Sequence, residues 1–280
     1  MKIIETIHDM QLLSASWQQD GLRIGFVPTM GNLHAGHLNL VQKAQAECDK
    51  VVVSIFVNPL QFNDSHDFSQ YPRTLDDDTA RLSELNIDAV FVPSEDEFYP
   101  EGKDNIPQVA VPRLANILEG ASRAGHFVGM ATVVKKLFDI IKPDVAIFGE
   151  KDFQQLLIVQ QMVADLNIPV QIMGMPTTRE ADGLAMSSRN HRLSAEQRQI
   201  APVLYQRLQA MREALLVGNE DSEELKRLAF EALQTAGFEP DYIEVRDAHS
   251  LAEIDSNTRQ RVILAAALLG DIRLIDNLKV

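Results

Sequence analysis

Cysteine is nearly absent from this chain: Cys48 is the single one among 280 residues. That excludes an internal disulfide and any multi-cysteine metal knot. No apolar run approaches the roughly 20 residues that a membrane-spanning helix needs. The opening Met-Lys-Ile-Ile-Glu-Thr-Ile-His-Asp is too short and too polar to read as a signal peptide. Basic residues are outnumbered, 26 Lys and Arg against 40 Asp and Glu, for a net charge of −14. A field of that sign repels polyanions, so no nucleic-acid partner is expected. Small anions stay possible, because a few local cations and backbone N–H groups suffice for them. Also missing are the G-x-x-x-x-G-K-[ST] loop and a well-formed G-x-G-x-x-G.

What is present is ordinary for a folded cytoplasmic protein: 45% hydrophobic and 24% charged residues. The length suits two domains better than one. Short β-branched runs at 22–27, 50–57, 88–92, 144–148 and 168–173 read as strands. Amphipathic stretches near 37–47, 74–86, 129–141 and 152–166 read as helices between them. The alternation predicts an α/β fold, a Rossmann-like parallel sheet covered by helices on both faces. Residues 94–128, with Pro93, Pro100, Pro107 and Pro112 in and beside them, read as loop-rich. The last third differs. Ser194-x-x-Gln197 and Asp221-x-x-Glu224 look like helix-start capping boxes, and Gly237 like a helix stop. A strand at 242–246 and runs 261–268 and 272–275, joined through Gly270-Asp271, complete a smaller α+β unit. The boundary falls near 176–190, giving domains 1–176 and 177–280.

Ligands of open parallel sheets bind beyond the carboxyl ends of the strands, so the residues there carry the chemical argument. After the first strand, Pro28-Thr29-Met30-Gly31-Asn32-Leu33-His34-Ala35-Gly36-His37 runs into a helix. Two glycines, a helix N-terminus with unpaired N–H groups and two imidazoles three residues apart suit a phosphate. The competing readings are a metal pair, for which no third or fourth ligand presents itself, and a turn that merely needs glycine. After the second strand, Asn58 and Gln61 could donate to a carboxylate without bringing charge; the alternative is a polar loop with Asn58 capping a turn. After the fourth, Gly149-Glu150-Lys151-Asp152 opens a helix, with Gln155 one turn on from Lys151. Lys151 is either a cation for a polyphosphate or a solvated helix start. After the fifth come Thr177-Thr178-Arg179 and Met186-Ser187-Ser188-Arg189, which fit a flexible phosphate clamp or a simple linker. No cysteine nucleophile or Ser-His-Asp pattern lies among them, so the chemistry would work by positioning and electrostatics.

These strings, with Phe-Val-Asn-Pro-Leu-Gln-Phe at 56–62 and Tyr-Pro-Arg-Thr at 71–74, resemble the pantoate–β-alanine ligase family along essentially the whole chain. The first motif alone is shared by a wider nucleotidyltransferase superfamily; the combination is specific. The resemblance implies a sheet of the nucleotidyltransferase type, with 177–280 acting as a lid. It implies ATP-dependent joining of pantoate and β-alanine through pantoyl adenylate, with AMP and diphosphate as by-products. Met30, Gly31, Asn32, Leu33, His34, Ala35, Gly36 and His37 would line the ATP site. Gly149, Glu150, Lys151, Asp152, Thr178, Met186, Ser187, Ser188 and Arg189 would complete it. His34, His37, Lys151 and Arg189 would be the catalytic set, Gln61 would meet pantoate and β-alanine, and Gln155 pantoate. Mg²⁺ would arrive with the ATP phosphates rather than in a protein-built metal site, with Asp77 or Asp78 as candidates for a contact. A cytoplasmic homodimer is also implied. The family often has proline where Ala124 stands, so Arg123 and His126 receive no role. His8, His66, His191 and His249 lie outside the motifs and read as surface or structural. The rival readings are a nucleotidylyltransferase of the same superfamily and an ATP-binding module without catalysis.

Overall fold

The structure is a computed structural model and describes residues 1–63, 65–111, 113–218 and 221–280, without the side chains of residues 65–67 and 104. Pro112 and the His66 side chain thus lie outside the described residues. The chain forms two compact units, one of residues 1–150 and 158–176, the other of 151–157 and 177–280.

In chain order the first unit builds β1 (Lys2–Ile4), α1 (Ile7–Gln19), β2 (Ile24–Thr29), α2 (Ala35–Glu47), β3 (Lys50–Ile55), α3 (Ser65–Gln70) and α4 (Leu75–Glu84). It continues with β4 (Ala89–Phe91), α5 (Glu95–Phe98), α6 (Glu119–Ser122), α7 (His126–Ile141), β5 (Val145–Gly149), α8 (Phe153–Asp165), of which 153–157 belong to the second unit, and β6 (Gln171–Met175). Among the described residues its six strands form one parallel sheet in the order β1-β4-β3-β2-β5-β6. The strands lack alternation because helices cover both faces. Val27, Val53, Val90 and Ile147 pack with Val41 and Ala44 of α2 and Leu82 of α4. On the other face of β2, Phe26 meets Phe138 of α7 edge-on, with ring centroids 6.2 Å apart. Strand starts are pinned by acidic side chains: Asp144 accepts the Ile24 N–H at 2.7 Å and Asp88 the Val51 N–H at 2.9 Å.

The chain winds from β2 through β3 and β4 to one side, then returns to place β5 and β6 on the other. The reversal lies between β2 and β5, where such sheets open a crevice at their carboxyl ends. The four strand ends singled out from the sequence belong to β3, β2, β5 and β6, which are neighbours in the sheet.

Several elements escape the sequence reading, among them the six-residue α3. β1 has three residues at the sheet edge, too short for any periodicity. The 13-residue α1 buries only Met10, Ser14 and Trp17, so its apolar stripe is thin. The loop-rich stretch does contain α5 and α6, each four residues long.

The second unit lays α9 (Ala195–Ile200), α10 (Val203–Leu216) and α11 (Ser222–Thr235) on an antiparallel sheet of β7 (Glu239–Asp247), β8 (Arg261–Leu269) and β9 (Ile272–Lys279). Ser194 and Gln197 form the reciprocal capping box that their spacing predicts. The expected helix from Ser194 is split at Ala201–Pro202, where proline has no N–H to continue the ladder. Gly237 ends α11 at φ +94°. There the Phe238 N–H donates to Leu233 O and the Gly237 N–H to Gln234 O, the paired bonds of a Schellman stop. Leu204, Leu208, Met211 and Leu215 of α10 and Leu225, Ala229 and Leu233 of α11 pack on Ile263, Ala265 and Ala267.

A buried ion pair ties this unit together. Arg179 Nη1 and Nη2 donate to the two Asp276 oxygens at 2.6 and 2.8 Å, and the guanidinium lies 3.7 Å over the Tyr205 ring. Burial pushes the Asp276 carboxyl up, and the Arg179 guanidinium pulls against that shift. Asp276→Ala should therefore cost about 3–5 kcal/mol, the scale of leaving one buried charge unpaired. Urea unfolding followed by circular dichroism checks this; an unchanged midpoint would show that the pair contributes nothing net.

Candidate active site

The loop after β2 is fixed almost atom by atom. Thr29 Oγ1 donates to Ser54 O at 2.7 Å and accepts the Gly31 N–H at 3.2 Å. Asp78 accepts the Asn32 N–H at 2.9 Å and the Leu33 N–H at 2.7 Å. Gly31 sits at φ +81° and Asn32 at φ +50°, and a Cβ on Gly31 would lie 3.0 Å from Asp78 Oδ2. Glycine is thus required by both conformation and space.

His34 is the N-cap of α2, and it forms a capping box with His37. The Gly36 N–H donates to His34 Nδ1 at 3.1 Å, and the His34 N–H donates to His37 Nδ1 at 3.3 Å. The two rings lie 4.1 Å apart, tilted by 35°. With Nδ1 accepting in both, the neutral rings carry their proton on Nε2. The sequence led us to expect free N–H groups at this helix start. Within that first turn the Gly36 N–H is engaged by its own N-cap, and in the loop before the helix the amides of Gly31, Asn32, Leu33 and His34 are engaged within the protein. In this tautomer each imidazole carries an Nε2–H donor.

Gln61, at the end of a 3₁₀ turn over Pro59–Gln61, is 9% exposed. Its Nε2 donates to Met30 Sδ at 2.9 Å, and its Oε1 accepts from Asn58 Nδ2 at 3.2 Å. Asn58, 1% exposed, also donates to Gly129 O at 3.2 Å and accepts from Tyr99 OH at 2.7 Å and from the Leu60 N–H at 3.2 Å. Burial pushes the Tyr99 phenol well up, so it stays a donor to Asn58. Asn58 does cap a turn, and beyond that it orients the Gln61 amide. His126, given no role from the sequence, is buried with Nδ1 2.7 Å from Gln61 O and Nε2 3.2 Å from Arg123 Nη1. The geometry assigns Nδ1–H to this ring, donating to the carbonyl.

The remaining residues belong to the second unit. Lys151 lies in the 3₁₀ turn Glu150–Asp152 just before α8, with its side chain 20% exposed and Nζ 3.7 Å from Asp152 Oδ1. Asn277 Nδ2 donates to Lys151 O at 2.9 Å, tying this turn to β9. Gln155 is partly buried and Gln154 fully buried. The expected clamp is a short hairpin: Arg179 bridges Ala185, and the Met186 N–H donates to Thr178 O at 2.9 Å. Its Arg179 is engaged by Asp276 and is structural. Arg189 follows in a turn where its N–H meets Ser187 Oγ at 3.2 Å. His8, His191 and His249 are exposed.

A doubly wound α/β sheet whose strand ends carry paired imidazole donors and a buried neutral amide defines a class: enzymes that handle small anions by positioning and charge stabilisation. The sequence profile of the pantoate-beta-alanine ligase family matches residues 2–279. Pantothenate synthetase of Pseudomonas paraeruginosa (strain DSM 24068 / PA7) is 52% identical over 280 residues, covering 100% of this chain and 99% of that protein. The crystal structure of pantothenate synthetase from Thermus thermophilus superposes with a TM-score of 0.92 at 45% identity, covering 99% of each chain. Pantoate-beta-alanine ligase from Francisella tularensis, crystallised with beta-gamma ATP and beta-alanine, gives 0.82 at 39% identity over 99% of this chain and 97% of its own. The chain belongs to the pantoate–β-alanine ligase family, and it is a C–N bond-forming ligase.

Gly129 stands at the very start of the helix expected over 129–141 and draws no attention there, whereas the structure places it inside α7, where a glycine marks close approach. A Cβ there would sit 2.1 Å from Leu60 O and 2.9 Å from Gln61 N. Gly129→Ala should cost about 1–3 kcal/mol as overpacking and displace the 59–61 turn. Thermal melting with steady-state kinetics tests it; wild-type stability and wild-type kinetics together would mean that α7 does not seat Gln61.

Proposed function

We propose that this chain joins pantoate to β-alanine in two ATP-dependent steps. The pantoate carboxylate attacks the α-phosphorus of ATP, expelling diphosphate and leaving pantoyl adenylate. The β-alanine amine then attacks the acyl carbon, expelling AMP and leaving the amide of pantothenate. The observation that carries this reading is the histidine pair whose Nδ1 atoms are both fixed as acceptors. Each ring then carries its N–H at Nε2, a donor for phosphate charge as it develops in the transition state. The attacking carboxylate has no proton to lose, so His34 and His37 stabilise charge rather than act as bases. Lys151 and Arg189 add cations, and Met30–His37, Gly149–Asp152, Thr178 and Met186–Ser188 line the nucleotide, as the family pattern implies.

Gln61 suits the pantoate end because a neutral amide does not repel a carboxylate. A nucleotidylyltransferase acceptor with its own phosphate would want a cation there, whereas Gln61 meets a thioether and an amide. Gln155 is the second pantoate contact in this reading. Mg²⁺ would neutralise phosphate charge. Among the described residues no group of three or more His, Cys, Asp and Glu side chains could cage it, so phosphate oxygens would supply most of its ligands. Asp77 is exposed and could reach such an ion, while both Asp78 oxygens already accept backbone N–H groups. A homodimer, a cytoplasmic location and a lid role for 177–280 belong to the same proposal; none of the helices described is long and apolar enough to cross a membrane.

The test is ATP–pyrophosphate exchange with pantoate present and β-alanine absent. Labelled pyrophosphate should return to ATP only when pantoate is added. His37→Ala and Lys151→Ala should each lower that exchange by ~10²-fold or more, the scale of losing one transition-state donor. Near-normal rates in both variants would break the assignment.

A further inference from the structure

Asp78 is the one first-turn carboxylate of α4 that is buried, 1% exposed, while Asp76 and Asp77 face solvent. Its two oxygens divide their work: Oδ2 accepts the Asn32 N–H at 2.9 Å and Oδ1 the Leu33 N–H at 2.7 Å. Thr74 Oγ1 donates to Oδ2 at 3.1 Å. Three residues further along α4, hence on the same face, Arg81 Nη1 donates to Leu33 O at 2.7 Å. Leu33 is therefore held at both its N–H and its C=O by one helix. The next N–H in the chain is that of His34, which donates to His37 Nδ1. A rotation at Leu33–His34 would move both rings together. Gly31 and Asn32, at φ +81° and +50°, add a backbone that persists only when its surroundings over-determine it.

We propose that Asp78 and Arg81 are positioning residues for the adenylation step, and that Asp78 shapes the histidine loop rather than binding Mg²⁺. This rests on the reaction proposed above. Asn at position 78 would keep one acceptor and turn an amide N–H against the other backbone N–H. Loss of the Arg81 head would free one end of the Leu33 peptide while leaving the fold intact, because Arg81 is largely exposed.

The experiment compares the wild-type full-length chain with Asp78→Asn, Arg81→Ala and Arg81→Lys. Maximal ATP–pyrophosphate exchange should fall ~10²-fold in Asp78→Asn, the cost of a small misplacement near the chemistry. It should fall ~10-fold in Arg81→Ala, the scale of one hydrogen bond, and recover in large part in Arg81→Lys. Half-saturating Mg²⁺ should not move. Long-range ¹H–¹⁵N spectra of the imidazoles, with His34 and His37 assigned by their loss in single variants, should show both rings shifted in Asp78→Asn and Arg81→Ala. An Asp78→Asn defect repaired by excess Mg²⁺ would overturn the proposal, as would full exchange in Arg81→Ala or unmoved ring signals in both variants. Should Asp78→Asn fail to fold, Arg81→Ala decides. Absence of exchange in the wild type would count against the reaction itself, and the ring signals would still judge the positioning.

Discussion

Everything at this site depends on where the backbone N–H groups of one short loop are directed. A helix start preceded by glycines commonly turns its amides toward a bound anion. Here Thr29, Asp78, His34 and His37 accept the amides of Gly31, Asn32, Leu33, Gly36 and His34. The loop is thereby held by acceptors of the protein itself, and two imidazoles are set with a defined tautomer. Rigidity of this sort matters when catalysis works by charge stabilisation, because donors that need no reorganisation lower the barrier most.

The sheet makes that arrangement possible. Parallel strands place all their carboxyl ends on one edge, and the reversal between β2 and β5 opens that edge. β3 delivers the Asn58–Gln61 turn next to β2, and Gly129 of α7 lets the helix backbone touch Leu60. A neutral amide is thus fixed through a buried hub of Asn58, Tyr99 and Gly129 O. In the reaction proposed above, a neutral amide at this position would meet the pantoate carboxylate without repelling it.

The strands of β2 to β6 and the long helices were legible because their apolar runs and periodicities are local. The strand-end motifs were legible for the same reason: Met30 to His37 is one contiguous string. What the sequence hides is contact at a distance. Asp78 lies 46 residues from Asn32, and its neighbours Asp76 and Asp77 look identical in the string while facing solvent. Arg179 reads as one more phosphate ligand, yet Asp276, 97 residues away, engages it in the second unit. His126 and Tyr99 act on Gln61 and Asn58 through contacts no spacing rule contains. β1 and α1 were missed for a different reason, since three residues or a thin stripe give too little pattern.

A buried carboxylate beside a loop proposed to meet phosphates looks electrostatically perverse in a chain already at −14. The hydrogen bonds resolve it. Two backbone N–H groups and a threonine hydroxyl converge on the Asp78 oxygens, and the Arg81 guanidinium lies one helical turn away on the same face. Charge-assisted bonds of this kind are about twice as strong as neutral ones, so the carboxylate holds its loop more firmly than an amide or hydroxyl could. Its negative charge is met by these donors. In the reaction proposed above, order in the loop would come from Asp78 and charge stabilisation from the imidazoles, so that one element could supply both.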